Sequence, residues 1–439
     1  MRRGGRVLSR AVADSLQEEA EDNFFYLLLM YLHNVGAPTA YANLQRALTG
    51  KPFQRPFGYT HQPRLWDELV FIPAQLARRP LEEEEEVHTQ VRVGPRALRP
   101  LIIDTPIMVT AMGTELAVSL EAKLALAQGA AANGTAINSG TGGFYPQERQ
   151  EAYRYILQHS STTQPTEDEV ARADMVEILI GHGAKGAVSQ SRSYESLSLR
   201  ARQRLGIAPG QDLKSPARWP GLNQPGGLER LVDELRAAGG GIPVAIKLGA
   251  GDIEGDLEEV LEARPDAIVL DGGEGSTHRG PEILTRHLGI PLPHGLIRAQ
   301  RFLEKQGVRD DVTLVVTGGL YDAGDYLKAL ALGADCIYSG VTISSVMVGL
   351  KALAGIEKWA PPNQFVFADG RLRDQFNPEE AAANVGNFIA ASTQELILTA
   401  RALGKSRLED IGPEDVRALT PRAAESTGVA PGFPTSPVT

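Results

Sequence analysis

The spacing of apolar positions changes character once along the chain. Between residues 11 and 32 they recur at helical spacing, with Leu16, Ala20, Phe24, Leu27, Leu28 and Tyr31 on one stripe. Residues 38–63 lose that period and are rich in proline, glycine and aromatics, which predicts an ordered but irregular wrapping segment. Residues 82–86 are a run of five glutamates, a solvated stretch, and residues 87–93 alternate apolar and polar positions as a strand does. From Pro106 onward, short β-branched runs alternate with helical patterns. The runs predict strands at 106–111, 134–138, 154–159, 174–180, 242–248, 266–270, 312–316 and 335–338. Helices between them include 119–132, 253–263, 295–306 and 323–332.

Eight strands in βα alternation predict an α/β fold, a (β/α)8 TIM barrel with an N-terminal helical and irregular extension and a C-terminal helical extension. The divisions fall at 1–92, 93–355 and 356–439. The third strand is ambiguous, because 148–160 can also be read as one helix. An open doubly wound sheet is the alternative, but no Gly-x-Gly-x-x-Gly follows the first strand. Roughly sixty residues, 181–241, separate the fourth and fifth strands and leave from the strand end that carries active sites in barrels. After the eighth strand come a helix at 344–353, the pair Pro361-Pro362, a long helix at 378–403 ended by Gly404, and a Pro/Ser/Thr-rich tail from Ala430.

Charge and cysteine content narrow the function. Lys and Arg number 44 against 54 Asp and Glu, so the net charge of −10 argues against nucleic acid as the main partner. The one cysteine, Cys336, excludes an internal disulfide and any Cys-ligated zinc or iron–sulfur cluster built by this sequence alone; inside a strand, it is expected in the core. The longest apolar run, 24–32, falls short of the ~20 residues of a membrane span. The basic start Met1 to Arg6 leads into Asp14, Glu18, Glu19, Glu21 and Asp22 with no apolar h-region between, so no targeting peptide is expected and the protein is expected to be cytoplasmic.

Chemistry concentrates at predicted strand ends. Thr317-Gly318-Gly319 follows strand seven and Ser339-Gly340 follows strand eight, the two places where barrels commonly hold phosphate. Asn138-Ser139-Gly140-Thr141-Gly142-Gly143 ends strand two, and Asp271-Gly272-Gly273-Glu274-Gly275 ends strand six. Small residues on several strand ends leave room for a large planar cofactor. Lys247 lies in the apolar run of strand five, where it must find a partner: it could hold an anion, stabilise a reduced flavin or form a Schiff base. His182 and Lys185 end strand four, the first a candidate proton donor with an ordinary pKa near neutrality, the second an anchor for a carboxylate. His278 follows the strand-six loop and is a weaker candidate.

Taken in order, these segments resemble the FMN-binding synthase domain of glutamate synthases. The resemblance rests on Pro106-Ile107-Met108-Val109-Thr110-Ala111-Met112-Gly113, Ser119-Leu120-Glu121-Ala122-Lys123, 137–143, Gly183-Ala184-Lys185, 271–275, Thr317-Gly318-Gly319-Leu320 and 328–335, and covers 93–429. The segment 401–411 is similar to the stand-alone branch of that family. The resemblance implies an FMN-dependent oxidoreductase acting on CH–NH2 donors, in which 2-iminoglutarate, formed from 2-oxoglutarate and ammonia, is reduced to L-glutamate. It implies that Ala111, Met112 and Gly113 line the flavin and that Asn138 and Ser160 contact it. Lys247 would stand at its ring and Asp271 would help to bind it; Gly272, Gly273, Gly318, Gly319 and Gly340 would hold its phosphate. Lys185, His182, Thr141 and Glu274 would form the catalytic group.

The sequence also departs from that family. The cysteine-nucleophile amidotransferase domain is not expected in this polypeptide, and 341–353 carries no cysteine for the family's iron–sulfur cluster. Electrons and ammonia would come from outside, from a separate donor protein or an NAD(P)H-linked subunit; a homo-oligomer is compatible with this. Thr141 stands where the family has glutamate, His182 where glutamine is common, Thr162-Thr163 where an arginine is expected, and the Gly-rich stretch after Lys185 is reduced to Gly186-Ala187-Val188-Ser189-Gln190. Three readings follow: an FMN enzyme of glutamate-synthase type, a flavin-binding or degenerate barrel acting as a non-catalytic partner subunit, and a Schiff-base lyase using Lys247.

Overall fold

The computed structural model describes residues 33, 35–51, 64–183, 185–219, 221–222, 224–275, 284, 287–349 and 362–434. The helix predicted at 11–32, His278, Pro361 and the end of the helix predicted at 344–353 lie outside them.

The helices that matter here are, in chain order, α1 (Ala37–Thr49), α2 (Leu120–Ala131), α3 (Pro146–Glu151), α4 (Leu199–Arg204), α5 (Gly227–Ala238), α6 (Ile253–Glu262), α7 (Leu292–Lys305), α8 (Ala323–Ala331), α9 (Val341–Val346) and α10 (Pro378–Leu403). Eight parallel strands form a closed barrel: β1 (Ile107–Val109), β2 (Ala136–Asn138), β3 (Arg154–Ser160), β4 (Met175–Leu179), β5 (Val244–Gly249), β6 (Ala267–Asp271), β7 (Thr313–Thr317) and β8 (Cys336–Ser339). Each strand pairs with its chain neighbours, and β8 closes on β1 through Ile337 opposite Ile107. All eight predicted strands are present in this (β/α)8 barrel. The ambiguity at 148–160 resolves as two elements: Pro146 opens the short α3, and β3 begins at Arg154.

Alternation along the strands divides the core. Ile107, Val109, Ile137, Leu157, Val176, Ile178 and Ile246 face the helices. Met108, Ala136, Ile156, Met175, Ala245, Val269, Val315 and Cys336 share the barrel interior. A hairpin of Val91–Val93 with Leu101–Ile103 adds Val93, Leu101 and Ile103 to that inner cluster. It closes the end where strands begin, and the Gly94 amide donates to Thr313 Oγ1 at 2.9 Å. The strand predicted at 87–93 is therefore regular at 91–93, while His88 bridges to Arg407.

Residues 37–49 correct one expectation, since they are a helix rather than an irregular wrap. Pro38 occupies a first-turn position, where its missing N–H costs nothing, and Gly50 ends the helix at φ 60°. The predicted helix at 378–403 is α10, with Asn377 capping the amide of Glu380 and Gly404 left-handed behind it. It buries α2, and α1 joins it through Arg46–Glu395 at 2.9 Å. Leu69–Phe71 pairs antiparallel with Val416–Ala418, so the two extensions meet.

The described residues of the long 181–241 segment carry regular elements. A hairpin of Gln190–Arg192 with Leu213–Ser215 and helix α4 lie over the first three strand ends, and α5 is the barrel helix leading to β5. Ser215 Oγ bonds Thr162 Oγ1 at 2.6 Å, Arg192 Nη1 donates to Leu116 O at 2.7 Å, and Arg204 Nε donates to Phe144 O at 2.8 Å.

The packing of α2 against α10 generates a test. A Cβ on Gly129 would lie 2.5 Å from Val385 Cγ1 and 2.6 Å from Val385 Cβ. Alanine ordinarily gains about 1 kcal/mol over glycine inside a helix. Here Gly129→Ala is expected to lower stability, because overpacking costs about 1–3 kcal/mol and the neighbour is a stiff β-branched side chain. Denaturant unfolding measures the sign.

Candidate active site at the carboxyl ends of the strands

One turn above the apolar inner layer, the inward positions of the barrel become polar. By the same alternation they are Asn138, Gln158, Glu177, Lys247, Asp271 and Tyr338. Lys247 is 5% exposed and lies 3.2 Å from Asp271 Oδ2. Burial alone would lower its pKa, but Asp271 and Glu177 outweigh it and hold the ammonium charged. Glu177, fully buried, accepts from Gln158 Nε2 at 2.6 Å. The Tyr338 hydroxyl accepts from Asn138 Nδ2 at 3.2 Å; burial, then the nearby Glu177 carboxylate, keeps it protonated. Among the described residues the buried Asp271 Oδ1 has no hydrogen-bond partner. Gln158, Glu177 and Tyr338 escaped the sequence reading; their signal is a polar side chain recurring two residues after an inward apolar one.

The loops after β1 and β2 are held from behind. Lys123, on α2 and fully buried, donates from Nζ to Met112 O at 2.8 Å and Asn138 O at 2.5 Å. Its counter-ion is Glu148, 3.5 Å away on α3, which also accepts from Thr114 Oγ1 at 2.9 Å. Burial pushes the Glu148 carboxyl up to about 7, against the pull of Lys123. Ala111 and Met112 are half-buried, and Gly113 is buried under the β2 turn. There a Cβ on Gly140 would lie 2.5 Å from the Gly113 nitrogen. Asn138 Oδ1 accepts the Gly140 amide at 2.9 Å, and Ser160 Oγ accepts the amides of Thr162 and Thr163, so both oxygens shape turns.

Two of the departing positions touch. Thr163 Oγ1 donates to Thr141 O at 2.6 Å, and neighbouring Thr162 reaches the hairpin through Ser215.

At the β6 and β7 ends, Gly318 and Gly319 have φ of 96° and 67°. A Cβ on Gly318 would press within 3.1 Å of the Gly272 backbone, so a side chain there is excluded twice over. Gly272 and Gly273 pack against Leu292 and Gly289, and Gly340 follows β8 beside Thr110. Glu274 is engaged locally: its Oε2 accepts the amide of Leu292, the first residue of α7, at 2.8 Å, and burial raises its pKa. The N-terminal extension adds Arg64, which reaches Asp325 at 3.0 Å and Gly319 O at 3.4 Å and lies over the Tyr321 ring. No local signal could reveal that contact, since its partners are more than 250 positions away.

At the β4 end, burial lowers the His182 pKa to about 4; Asp271 opposes this while Lys185 and Lys247 add to it. The ring is thus neutral at pH 7, offering one N–H and one lone pair rather than an imidazolium proton. Lys185 donates to Gln190 Oε1, and burial, then Arg192, lowers its pKa to about 8. Among the described residues no group of His, Cys, Asp and Glu is suited to hold a metal, and no helix is long and apolar enough to cross a membrane.

Residues 59–406 match the family model described as the conserved region in glutamate synthase. The chain belongs to the glutamate synthase family. A glutamate synthase large subunit-like protein of Rhizobium meliloti is 31% identical over 379 residues, 82% of this chain and 85% of its own length. An archaeal-type glutamate synthase (NADPH) of Dehalococcoides mccartyi is 27% identical over 369 residues, 80% of this chain and 73% of its own. Among solved structures, a lactate oxidase of Pediococcus acidilactici, described as putative, superposes with a TM-score of 0.54 at 14% identity, covering 86% of this chain and 91% of its own. A mutant of an active chimera of (S)-mandelate dehydrogenase gives 0.53 at 12% identity, covering 87% and 99%. At these identities the two structures share the fold.

The brace behind this glutamate synthase-like barrel is testable by unfolding. Lys123→Met leaves Glu148 buried without a counter-charge and should cost about 3–5 kcal/mol. Adding Glu148→Leu should recover part of the loss. A double variant no more stable than the single one would contradict the pairing.

Proposed function

We propose that this chain is the synthase barrel of an FMN-dependent oxidoreductase that reduces 2-iminoglutarate, formed from 2-oxoglutarate and ammonia, to L-glutamate with externally supplied electrons. The observation that carries the reading is the polar layer at the strand ends of a glutamate synthase family barrel, with charged Lys247 beside Asp271.

The residues fit the cofactor. The layer holds two carboxylates, Glu177 and Asp271, around one ammonium, and Asp271 Oδ1 is an unsatisfied buried acceptor. Such a layer favours a ligand bearing N–H and O–H donors, which a flavin ring and its ribityl chain provide. Left-handed Gly318 and Gly319, with Gly340 after the next strand, supply backbone N–H groups free of Cβ where a phosphate would lie. FMN, when bound, supplies the hydride. Lys247 would place positive charge at the ring, Ala111 to Gly113 would line it, and Lys123 would hold that lining in place. Lys185 would bind a substrate carboxylate, and His182 would offer a neutral hydrogen-bonding ring. Electrons are assigned to a separate donor; several relatives carry NADPH in their names. We place the protein in the cytoplasm on the same reading.

The Schiff-base alternative is weaker, because that chemistry needs a neutral amine and Lys247 is held charged. A non-catalytic flavin-binding partner is the second reading, supported by the departing threonines having bonded to each other and to the hairpin.

The decisive experiment is the visible spectrum after FMN addition, followed by anaerobic reduction and mixing with 2-oxoglutarate and ammonia. Flavin bands with reoxidation are expected. A protein that takes up no FMN overturns the proposal, and one that binds FMN but is not reoxidised favours the partner reading. Lys247→Ala should lower the flavin's reduction potential by removing positive charge from the ring; an unchanged potential contradicts its role.

Lys185 sets a pH dependence. A folded pKa of about 8 means that its charge is intact at lower pH and is lost as pH rises through 8. Keto-acid affinity should therefore fall about tenfold per pH unit above that point. A flat profile to pH 10 would remove Lys185 from substrate binding.

A further inference from the structure

Two separate points of the N-terminal extension end on one loop of the barrel. That loop, 318–322, runs from the end of β7 to the start of α8. Its left-handed Gly318 and Gly319 leave the backbone many conformations, so contacts from outside must select one. Arg64 Nη1 donates to Gly319 O at 3.4 Å. Asn43, fully buried on α1, donates from Nδ2 to Tyr321 O at 2.9 Å, and Thr342 Oγ1 reaches the same oxygen at 3.4 Å. Asp325 Oδ2 accepts both the Tyr321 amide and Arg64 Nη1 at 3.0 Å.

Both anchors are themselves held. Arg64 meets Asp67 at 3.3 Å from Nε and 3.1 Å from Nη2, and Asp325 Oδ1 at 3.3 Å, so every N–H of its fork is engaged. The guanidinium therefore shapes the loop and has no donor left over for an anion. Asn43 Oδ1 accepts from Arg46 Nη1 at 2.5 Å, and Arg46 pairs with Glu395 of α10. Lys328 of α8 closes the contact from the barrel side by donating to Trp66 O at 2.7 Å.

A trans peptide points its C=O and its N–H in opposite directions. With Gly319 O turned to Arg64 and Tyr321 O to Asn43, the amides of Leu320 and Asp322 are turned away from the extension. Holding the carbonyls thus fixes which way the loop presents its donors. We propose that the N-terminal extension completes the cofactor site, with Arg64 and Asn43 as positioning residues that set the β7 loop for the FMN phosphate. This rests on the reading in which Gly318 and Gly319 receive that phosphate. It goes beyond that reading by making the preference for FMN over its dephosphorylated form depend on side chains outside the barrel.

The test titrates the flavin-free full chain with FMN and with riboflavin, which lacks only the phosphate, and reads both affinities from flavin fluorescence. Arg64→Gln and, separately, the isosteric Asn43→Asp should each weaken FMN by about 10–100-fold, the range of a lost charge-assisted hydrogen bond, and riboflavin by less than about threefold. A merely structural role would weaken both flavins alike. Arg64→Lys should recover little, because an ammonium cannot reproduce the fork that joins Asp67, Asp325 and Gly319. Full recovery would make Arg64 a direct phosphate ligand and overturn the positioning role. Equal loss for FMN and riboflavin, or no loss for either, overturns the inference and leaves the proposed function standing. If Arg64→Gln does not fold, Asn43→Asp decides by the same ratio. Wild-type protein that binds the two flavins equally overturns the inference together with the phosphate assignment. Wild-type protein that binds neither overturns the proposed function and the inference with it.

Discussion

A charge inside a closed barrel survives only when its partner lies in the same layer, and Lys247 meets that condition through Asp271 at 3.2 Å. The geometry follows from strand alternation. Every strand of a parallel barrel turns alternate side chains inward. Deep in the barrel the inward residues include Ala136, Ile156, Met175, Ala245, Val269, Val315 and Cys336. Two residues further along the same strands they include Asn138, Gln158, Glu177, Lys247, Asp271 and Tyr338, linked through Gln158–Glu177 and Asn138–Tyr338. Because all eight strands run the same way, this ring and the loops that follow it stand at one end. The hairpin that supplies Val93, Leu101 and Ile103 closes the other.

The polar ring needs its loops held at fixed height, and that task falls to residues outside the strands. Lys123, fully buried on α2, bonds the carbonyls of Met112 in the β1 loop and Asn138 at the end of β2. Burying an ion pair gains little stability by itself, since desolvation offsets attraction. Its value here is geometric: one ammonium sets the distance between the β1 and β2 loops. Arg64 acts similarly on the β7 loop through Gly319 O and Asp325. One brace thus comes from a barrel helix and the other from the N-terminal extension.

These contacts also explain what could be read in advance. Each barrel strand was visible as a β-branched run because parallel strands are buried on both faces. Helix α10 was delimited by Asn377-Pro378 at its start and Gly404 at its end, local signals that owe nothing to tertiary context. Helix α1 was missed because the same proline that opens a helix also marks a loop. The sequence carries no local sign of the task of Lys123, since a lysine on a helix ordinarily faces water. Glu177 and Gln158 were legible in principle from period-two alternation, and Arg64 was not legible at all. Of the expected site residues, Lys247 and Asp271 meet as a pair and His182 lies near both, whereas Glu274 is engaged with the start of α7.

The positions expected to depart from the family pattern share contacts. Thr163 Oγ1 donates to Thr141 O, Thr162 bonds Ser215, and Lys185 bonds Gln190, so the ends of β2 to β4 and the hairpin are connected. Arg192 ties the same hairpin to the β1 loop by donating to Leu116 O. Lys185 is held by a side chain of this hairpin, so its position depends on how firmly the Thr162–Ser215 and Arg192–Leu116 bonds pin the hairpin to the strand ends.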